Sequence, residues 1–345
     1  MYLDYSATTK IDKEILKTVE KDLLTKVTEK DLDPYKEKIQ RILNTSLEVS
    51  ITSGSSESNN WAIKGICMNS KKRTIITTEL EHSSINETLK FLEKQGFKIV
   101  HLPLHDGIVD LKFLDEQLSN DVALITICSV NSETGTLQPI KEIGEIAKKH
   151  HVPFHCDMTQ SIGKVELPFD NIDLISLTAH KFYGPKGIGV LLHNKNIKLD
   201  DLIIGERTYS LGLINGLIEA LETAEKKIKE NYKKVKEINE YLKTKLKNNP
   251  NIIINQSKNS IPHILNISIL NYKPETFLHY LEQNNIYIST KSACSNNNAY
   301  SEAVYALTND KKRAETSVRI SLSSKTTKED IDKLIKVIER NEHAK

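Results

Sequence analysis

Between about residue 50 and residue 195, short apolar runs alternate with helix-length segments that carry apolar residues on one face. That alternation constrains the fold more than any other feature. Parallel strands cannot be joined by a tight turn, and the helix that carries the chain back covers the sheet. Strands are predicted near 49–52, 74–78, 98–102, 122–129, 152–156, 173–177 and 187–192, with helices at 57–68, 84–95 and 141–150 among those between them. Residues 217–247 place Leu217, Leu221, Ile228, Tyr232, Val235, Ile238, Leu242 and Leu246 at three-, four- or seven-residue intervals, which predicts one long helix ending at Asn-Asn-Pro. After Pro250 the pattern changes, to a predicted helix at 274–284, a strand at Ile-Tyr-Ile-Ser-Thr and a last helix at 327–341. The expected class is α/β, with a large domain over 12–230 built on a mostly parallel central sheet. A smaller α+β domain is expected from 1–11 and 231–345, with helix 217–247 bridging the two.

Composition narrows the function. Of 345 residues, 48 are Lys or Arg and 46 are Asp or Glu, a net +2, so no global field favours nucleic acid or a membrane surface. At 38% hydrophobic and 27% charged residues the chain has the material for a packed core. There is no apolar run long enough to cross a bilayer, and the start MYLDYSATTK has no signal-peptide character, so a cytoplasmic protein is expected. The four cysteines are widely spaced and form no CxxC pair. Cys67, Cys128 and Cys156 lie in apolar or helical surroundings, whereas Cys294 lies in the polar stretch SACSNNNAYSE.

In an open parallel sheet, ligands bind beyond the carboxyl ends of the strands. Here those ends lead to Thr-Ser-Gly-Ser-Ser-Glu at 52–57, to His82, to Asn131, to Asp157 with Gln160, and to Thr178, His180 and Lys181. One edge thus gathers a Gly/Ser loop, imidazoles, amides, a carboxylate and an amine. The loop enters a helix, where backbone N–H groups can face a phosphate, although Ser-rich helix caps are also common. A carboxylate after an apolar strand calls for a cation or donors, and Asp157 can equally cap the segment that follows it. An amine such as Lys181 can form a Schiff base with an aldehyde, while most lysines are solvated surface. Zinc is disfavoured because the close Cys/His spacing of a metal motif is missing. Pyridoxal 5'-phosphate (PLP) chemistry uses every one of these groups: a lysine to carry the cofactor, an acid at its pyridine nitrogen and a loop for its phosphate.

The segments YLDYSATT, TSGSSESNN, EHSSI, VNSETGTLQPI, HCDMTQSIGK, TAHKFYGPKGIG, KSACS and SVRISLS occur in this order over nearly the whole chain. In order and spacing they resemble the NifS/IscS-type cysteine desulfurases, fold-type I PLP enzymes of the class V aminotransferase group. The resemblance implies that Lys181 carries PLP through a Schiff base and Asp157 pairs with the pyridine nitrogen. It implies that His82 stacks on the ring and assists proton transfer, and that Gln160 and Asn131 contact the phenolic oxygen or the substrate. Ser55, Ser56, Thr178 and His180 match phosphate-binding positions, Arg319 matches the clamp for the substrate carboxylate, and Cys294 matches the nucleophile that takes sulfur from L-cysteine as a persulfide. The same resemblance implies a homodimer and a sulfur acceptor, either an iron-sulfur scaffold or a tRNA-thiolating enzyme.

Three segments depart from the family pattern. KVTEKDLDPYKEKIQ is short and lacks an Asn-Pro-Ser-Ser-like stretch, which bears on one wall of the substrate pocket. GERTYSLGL is shorter than its counterpart, with Arg207 and Ser210 at the positions of an Arg and of a Thr that reaches the neighbouring subunit's phosphate. Lys291 stands where Gly or Ser is usual before the nucleophile, and its charge is expected to lower the Cys294 pKa. Two other readings follow from the same residues: a related PLP lyase or aminotransferase such as a selenocysteine lyase, and an inactive PLP-binding assembly partner.

Overall fold

The computed structural model describes residues 1–68, 70–270, 272–290 and 300–343; Cys294 and Lys291 lie outside the described residues. Seven strands form the central sheet: Glu48–Thr52, Thr74–Thr77, Lys98–His101, Val122–Thr126, Phe154–Asp157, Leu174–Thr178 and Gly189–His193. Across the sheet the order runs from Glu48–Thr52 through Gly189–His193, Leu174–Thr178, Phe154–Asp157, Val122–Thr126 and Thr74–Thr77 to Lys98–His101. Only Gly189–His193 is antiparallel to its two neighbours. The strands Thr74–Thr77, Val122–Thr126 and Leu174–Thr178 are buried at every position. This is why they read as unbroken apolar runs instead of alternating ones.

Helices Ser55–Cys67, Ser83–Lys94 and Ile140–Lys149 connect the parallel strands, each within two residues of its expected bounds. Buried apolar residues gather into one cluster on each face of this sheet, including Phe154, Leu177 and Ile214 in one and Trp61, Leu89 and Leu191 in the other. A further cluster surrounds the three-stranded antiparallel sheet Ile252–Asn255, Ile264–Ile269 and Ser317–Ser321. It takes in Leu3 from the N-terminal segment, Val235 and Leu242, Phe277, and Leu334 of the final helix Lys328–His343.

Two expectations need correction. The long helix over 217–247 is two helices, Leu211–Lys226 and Ile228–Leu246, broken at Lys227 with φ −105° and ψ 5°. The break follows from what each half buries: Leu217, Leu221 and Ala224 pack on the large core, while Val235, Leu242 and Leu246 pack on the small one. Periodicity survives a one-residue break, so the sequence pattern does not reveal it. The expected strand at 286–290 is reduced to isolated bridges, Tyr2 to Tyr287 and Ser289 to Arg319.

The two short segments that depart from the family pattern meet each other. Lys26–Thr28 pairs antiparallel with Thr208–Ser210, Val27 opposite Tyr209, and the Tyr209 hydroxyl donates to Glu29 at 2.8 Å. The two shortened segments therefore form one ribbon.

Gly189 connects fold to site. A Cβ there would lie 2.6 Å from the Leu177 carbonyl oxygen and 2.7 Å from Gly54 Cα, both of them backbone atoms that cannot swing away. Gly54, with φ +153°, in turn faces Thr178 Oγ1. Gly189→Ala is expected to lower the unfolding free energy by about 1–3 kcal/mol, as overpacking does, and urea unfolding of the purified protein measures it.

Candidate active site

Lys181 closes a single turn of 3-10 helix, Ala179–Lys181, directly after the strand Leu174–Thr178. Its amine donates to the backbone carbonyls of Ser6 at 2.6 Å and Ala7 at 2.7 Å. The N-terminal segment thus crosses the carboxyl edge of the sheet, and the carbonyl of His180 holds it there by accepting from both the N–H and the hydroxyl of Thr9.

Asp157 ends its strand with 6% of its surface exposed. Oδ1 accepts from the backbone N–H of Thr159 at 2.9 Å, and Oδ2 accepts from Asn59 Nδ2 at 2.8 Å. Two donors fix the carboxylate but leave lone pairs for a further cation or N–H. Asn59 lies on the first helix after the Gly/Ser loop and also donates to Ser84, so loop, acid and the His82 turn are tied together.

His82 caps the helix Ser83–Lys94, its Nδ1 accepting from Ser84 N–H at 3.2 Å. Its side chain stays exposed, while the surrounding residues still desolvate it. That burial, aided by Lys181, lowers its pKa against the opposing pull of Asp157. His180 is pushed down to about 4, first by burial and then by Lys181, Lys186 and Lys164, so it is neutral at pH 7; its Nδ1 lies 3.0 Å from Thr8 Oγ1.

The helix Ser55–Cys67 begins after Gly54 with no side chain capping it, so its first backbone N–H groups are available to an acceptor. Thr178, 2% exposed, stands beside this loop and donates to the Ile188 carbonyl at 3.1 Å. Ser55 is half-buried and Ser56 exposed at the helix start. Ser210 does not join this cluster. It lies in a cavity of about 300 Å³ shared with Ser53, Gly187 and Arg207, and Arg207 reaches Glu57 at 3.6 Å.

Asn131 is 3% exposed, and most of its polar capacity is used locally. Oδ1 accepts from Glu133 N–H and from the N–H and hydroxyl of Thr134, while Nδ2 donates to the Leu80 carbonyl at 3.0 Å. One amide hydrogen is left for a ligand. Gln160 donates to the Ser6 carbonyl at 2.9 Å, the acceptor that Lys181 also uses. From the small sheet, Arg319 reaches over with 4% exposure, donating to Asp4 at 2.8 Å and to the Ser132 carbonyl at 3.0 Å. Its Nε is buried and has no partner among the described residues.

The structure therefore brings Lys181, Gln160 and Arg319 onto the N-terminal segment, and ties Asp157 through Asn59 to the turn that carries His82. Sequence reasoning missed several contributors. The carbonyls of Ser6 and Ala7 carry no side-chain signal. Asn59 was visible only as part of TSGSSESNN, and Lys164 only through its four-residue spacing from Gln160 on HCDMTQSIGK. Glu81 was also missed. It is 7% exposed, accepts from Cys128 N–H at 3.0 Å and from the Thr78 hydroxyl at 2.8 Å, and has no partner for Oε2 among the described residues. Burial pushes it up to about 8, so it is protonated at neutral pH.

The class V aminotransferase family model matches residues 1–207 and 206–334. The cysteine desulfurase IscS of Clostridium botulinum (strain Hall) is 35% identical over 369 aligned positions, covering 98% of this chain and 93% of the relative. A mitosomal cysteine desulfurase of Encephalitozoon cuniculi is 36% identical over 83% of this chain. Among solved structures, a NifS-like protein superposes with a TM-score of 0.93 at 29% identity over the full length of both chains. A structure described as SspA in complex with cysteine superposes at 0.80 with 31% identity, over 94% of this chain and 99% of that one. The chain belongs to the class V aminotransferase family and, within it, to the NifS/IscS-type cysteine desulfurases, which are PLP-dependent enzymes.

Glu81 supplies a pH signature. Its pKa is about 8 in the folded chain against 4.5 unfolded, so the unfolded chain ionises first. Its contribution to stability is complete below pH 4.5 and is lost as pH rises to about 8. Glu81→Gln keeps the accepting oxygen and cannot ionise. Its unfolding free energy relative to wild type is expected to rise by about 1 kcal/mol per pH unit over that window, measured by urea unfolding at a series of pH values.

Proposed function

We propose that this chain converts L-cysteine to L-alanine and passes the sulfur to Cys294 as a persulfide. The observation that carries the reading is the arrangement of Lys181, Asp157 and the Gly54 loop at one sheet edge within a chain of this family. PLP fits these residues. Lys181 would hold it through its amine, Asp157 would meet its pyridine nitrogen, and the uncapped helix start with Ser55, Ser56, Thr178 and His180 would receive its phosphate. The neutral state of His180 suits a phosphate site as a donor without charge. When bound, the cofactor acts as an electron sink that labilises bonds to the substrate Cα.

The chain's own residues do the rest. Arg319, prepositioned by Asp4 and Ser132, offers its free Nε and the outer edge of its guanidinium to the substrate carboxylate. His82 presents a ring face, and its lowered pKa keeps it neutral and able to take a proton. The amine of Lys181 and the amide of Gln160 share the Ser6 carbonyl, which keeps both on the same side of the cleft. The thiol that accepts sulfur must reach the substrate as a thiolate. Cys67, Cys128 and Cys156 do not qualify. Burial pushes the Cys67 thiol up to about 12 and the other two well above their ordinary value. Cys294 is then the nucleophile: the substrate Cβ–S bond breaks, a sulfur–sulfur bond forms on Cys294, and alanine leaves.

The cavity holding Ser210 and Arg207 lies beside Ser53 and Glu57 of the phosphate loop. It supports the reading that a second copy of the chain packs there and that Ser210 serves the neighbour's phosphate. An iron-sulfur scaffold or a tRNA-thiolating enzyme is the acceptor class that a protein-bound persulfide suits. Among the described residues no helix is long and apolar enough to cross a membrane.

The test is turnover with L-cysteine, reading alanine and sulfide. Wild type is expected to release alanine continuously in the presence of a thiol, and Cys294→Ser to lose at least about 100-fold in rate, the scale of removing an activated nucleophile. Equal turnover in the two proteins would refute Cys294 as acceptor, and alanine formed from selenocysteine alone would refute the substrate.

A further inference from the structure

Lys164 belongs to none of the roles above, yet it is buried at 8% exposure beside the site. Its amine donates to Gln160 Oε1 at 2.7 Å, four residues earlier in the chain. The amide then donates from Nε2 to the Ser6 carbonyl at 2.9 Å, and the same carbonyl accepts from Lys181 at 2.6 Å. A continuous run of hydrogen bonds therefore joins the two amines.

From this run we infer that Lys164 is a positioning residue that locks the Gln160 amide with its NH2 group toward the cofactor. The inference rests on the PLP reading of Lys181. The Ser6 end fixes the orientation of the amide, because a backbone carbonyl can only accept, and the Lys164 amine then donates to the oxygen that is left. With Oε1 held by Lys164 and one Nε2 hydrogen on Ser6, the second Nε2 hydrogen is the one group Gln160 has left to offer. Gln160 is 6% exposed, so a freed amide oxygen would be buried without a partner, which costs about 1–3 kcal/mol. The charged groups acting on the Lys164 amine, Lys181 and Arg319, are both positive, and burial together with them lowers Lys164 to about 7. An amine kept in such surroundings works against stability unless its hydrogen bond serves the site.

A donor held against the phenolic oxygen favours the anionic, deprotonated form of the lysine-bound cofactor, so the visible absorption band titrates at lower pH with Lys164 present than without it. The experiment is a pH titration of that band in the PLP-loaded protein for wild type, Lys164→Met, Lys164→Arg, Gln160→Ala and the Met/Ala double variant. Lys164→Met is expected to shift the midpoint upward by about half a unit or more. Arg, which keeps charge and donor, should restore most of the shift, and the Met change should add little once Gln160 is Ala. An unchanged midpoint in Lys164→Met, or an equal shift with and without Gln160, overturns the inference. Gln160→Glu is an independent arm should the Met variant not fold. A carboxylate pairs with Lys164 but cannot donate, so its midpoint must also move up, and a wild-type midpoint there overturns the inference as well. A wild type with no lysine-bound band would instead refute the PLP reading itself.

Discussion

A carboxylate that is 6% exposed at the end of a fully buried strand is the constraint around which the site is built. Asp157 is far too costly to leave unmet in an apolar sheet, and among the described residues the hydrogen bonds that meet it come from one backbone N–H and the Asn59 amide. Neither donor carries a formal charge. The remaining lone pairs therefore favour a cation delivered from outside the protein, and the neighbouring groups are arranged accordingly. The Asn59 amide carries the constraint on to Ser84 and so to the turn bearing His82. Glu81, at the same turn, is kept neutral by burial, so it does not compete with Asp157 for positive charge.

The second requirement is that the large and the small sheet meet over this edge. The large sheet supplies Lys181, Asp157 and the Gly54 loop, but Arg319, the proposed substrate clamp, comes from the small sheet. The N-terminal segment joins them. Leu3 packs in the small core, Asp4 pairs with Arg319, and the Ser6 and Ala7 carbonyls receive the Lys181 amine. The five consecutive residues from Leu3 to Ala7 thus set the distance between the Arg319 guanidinium and the Lys181 amine. Burial at Leu3 and an ion pair with only 5% and 15% side-chain exposure make that link stiff, unlike a surface salt bridge.

Much of this was legible because buried parallel strands leave a strong trace. The polar residues that follow Ile51, Thr77, Val130, Cys156 and Leu177 stand out in the sequence, since a chain that must be apolar within the sheet turns polar where it emerges. What escaped had physical reasons. The split at Lys227 leaves the apolar spacing of 217–247 intact, so periodicity cannot report it. The Ser6 and Ala7 carbonyls act through the backbone, which any residue could supply. Asn131 looked like a ligand contact from its position, and the structure spends most of its hydrogen-bonding capacity on the turn through Thr134. Lys164 was hidden because a lysine in sequence reads as surface, and only the burial of its amine beside Gln160 shows otherwise. The two shortened segments were noticed separately, and their pairing needed the three-dimensional register.

Covalent attachment at Lys181 is the point on which the account stands or falls. Borohydride reduction of the PLP-loaded protein, followed by peptide mass spectrometry, measures it directly. The account predicts a pyridoxyl adduct confined to the peptide containing Lys181. Recovery of that peptide unmodified, with the adduct on another lysine or on none, would contradict it.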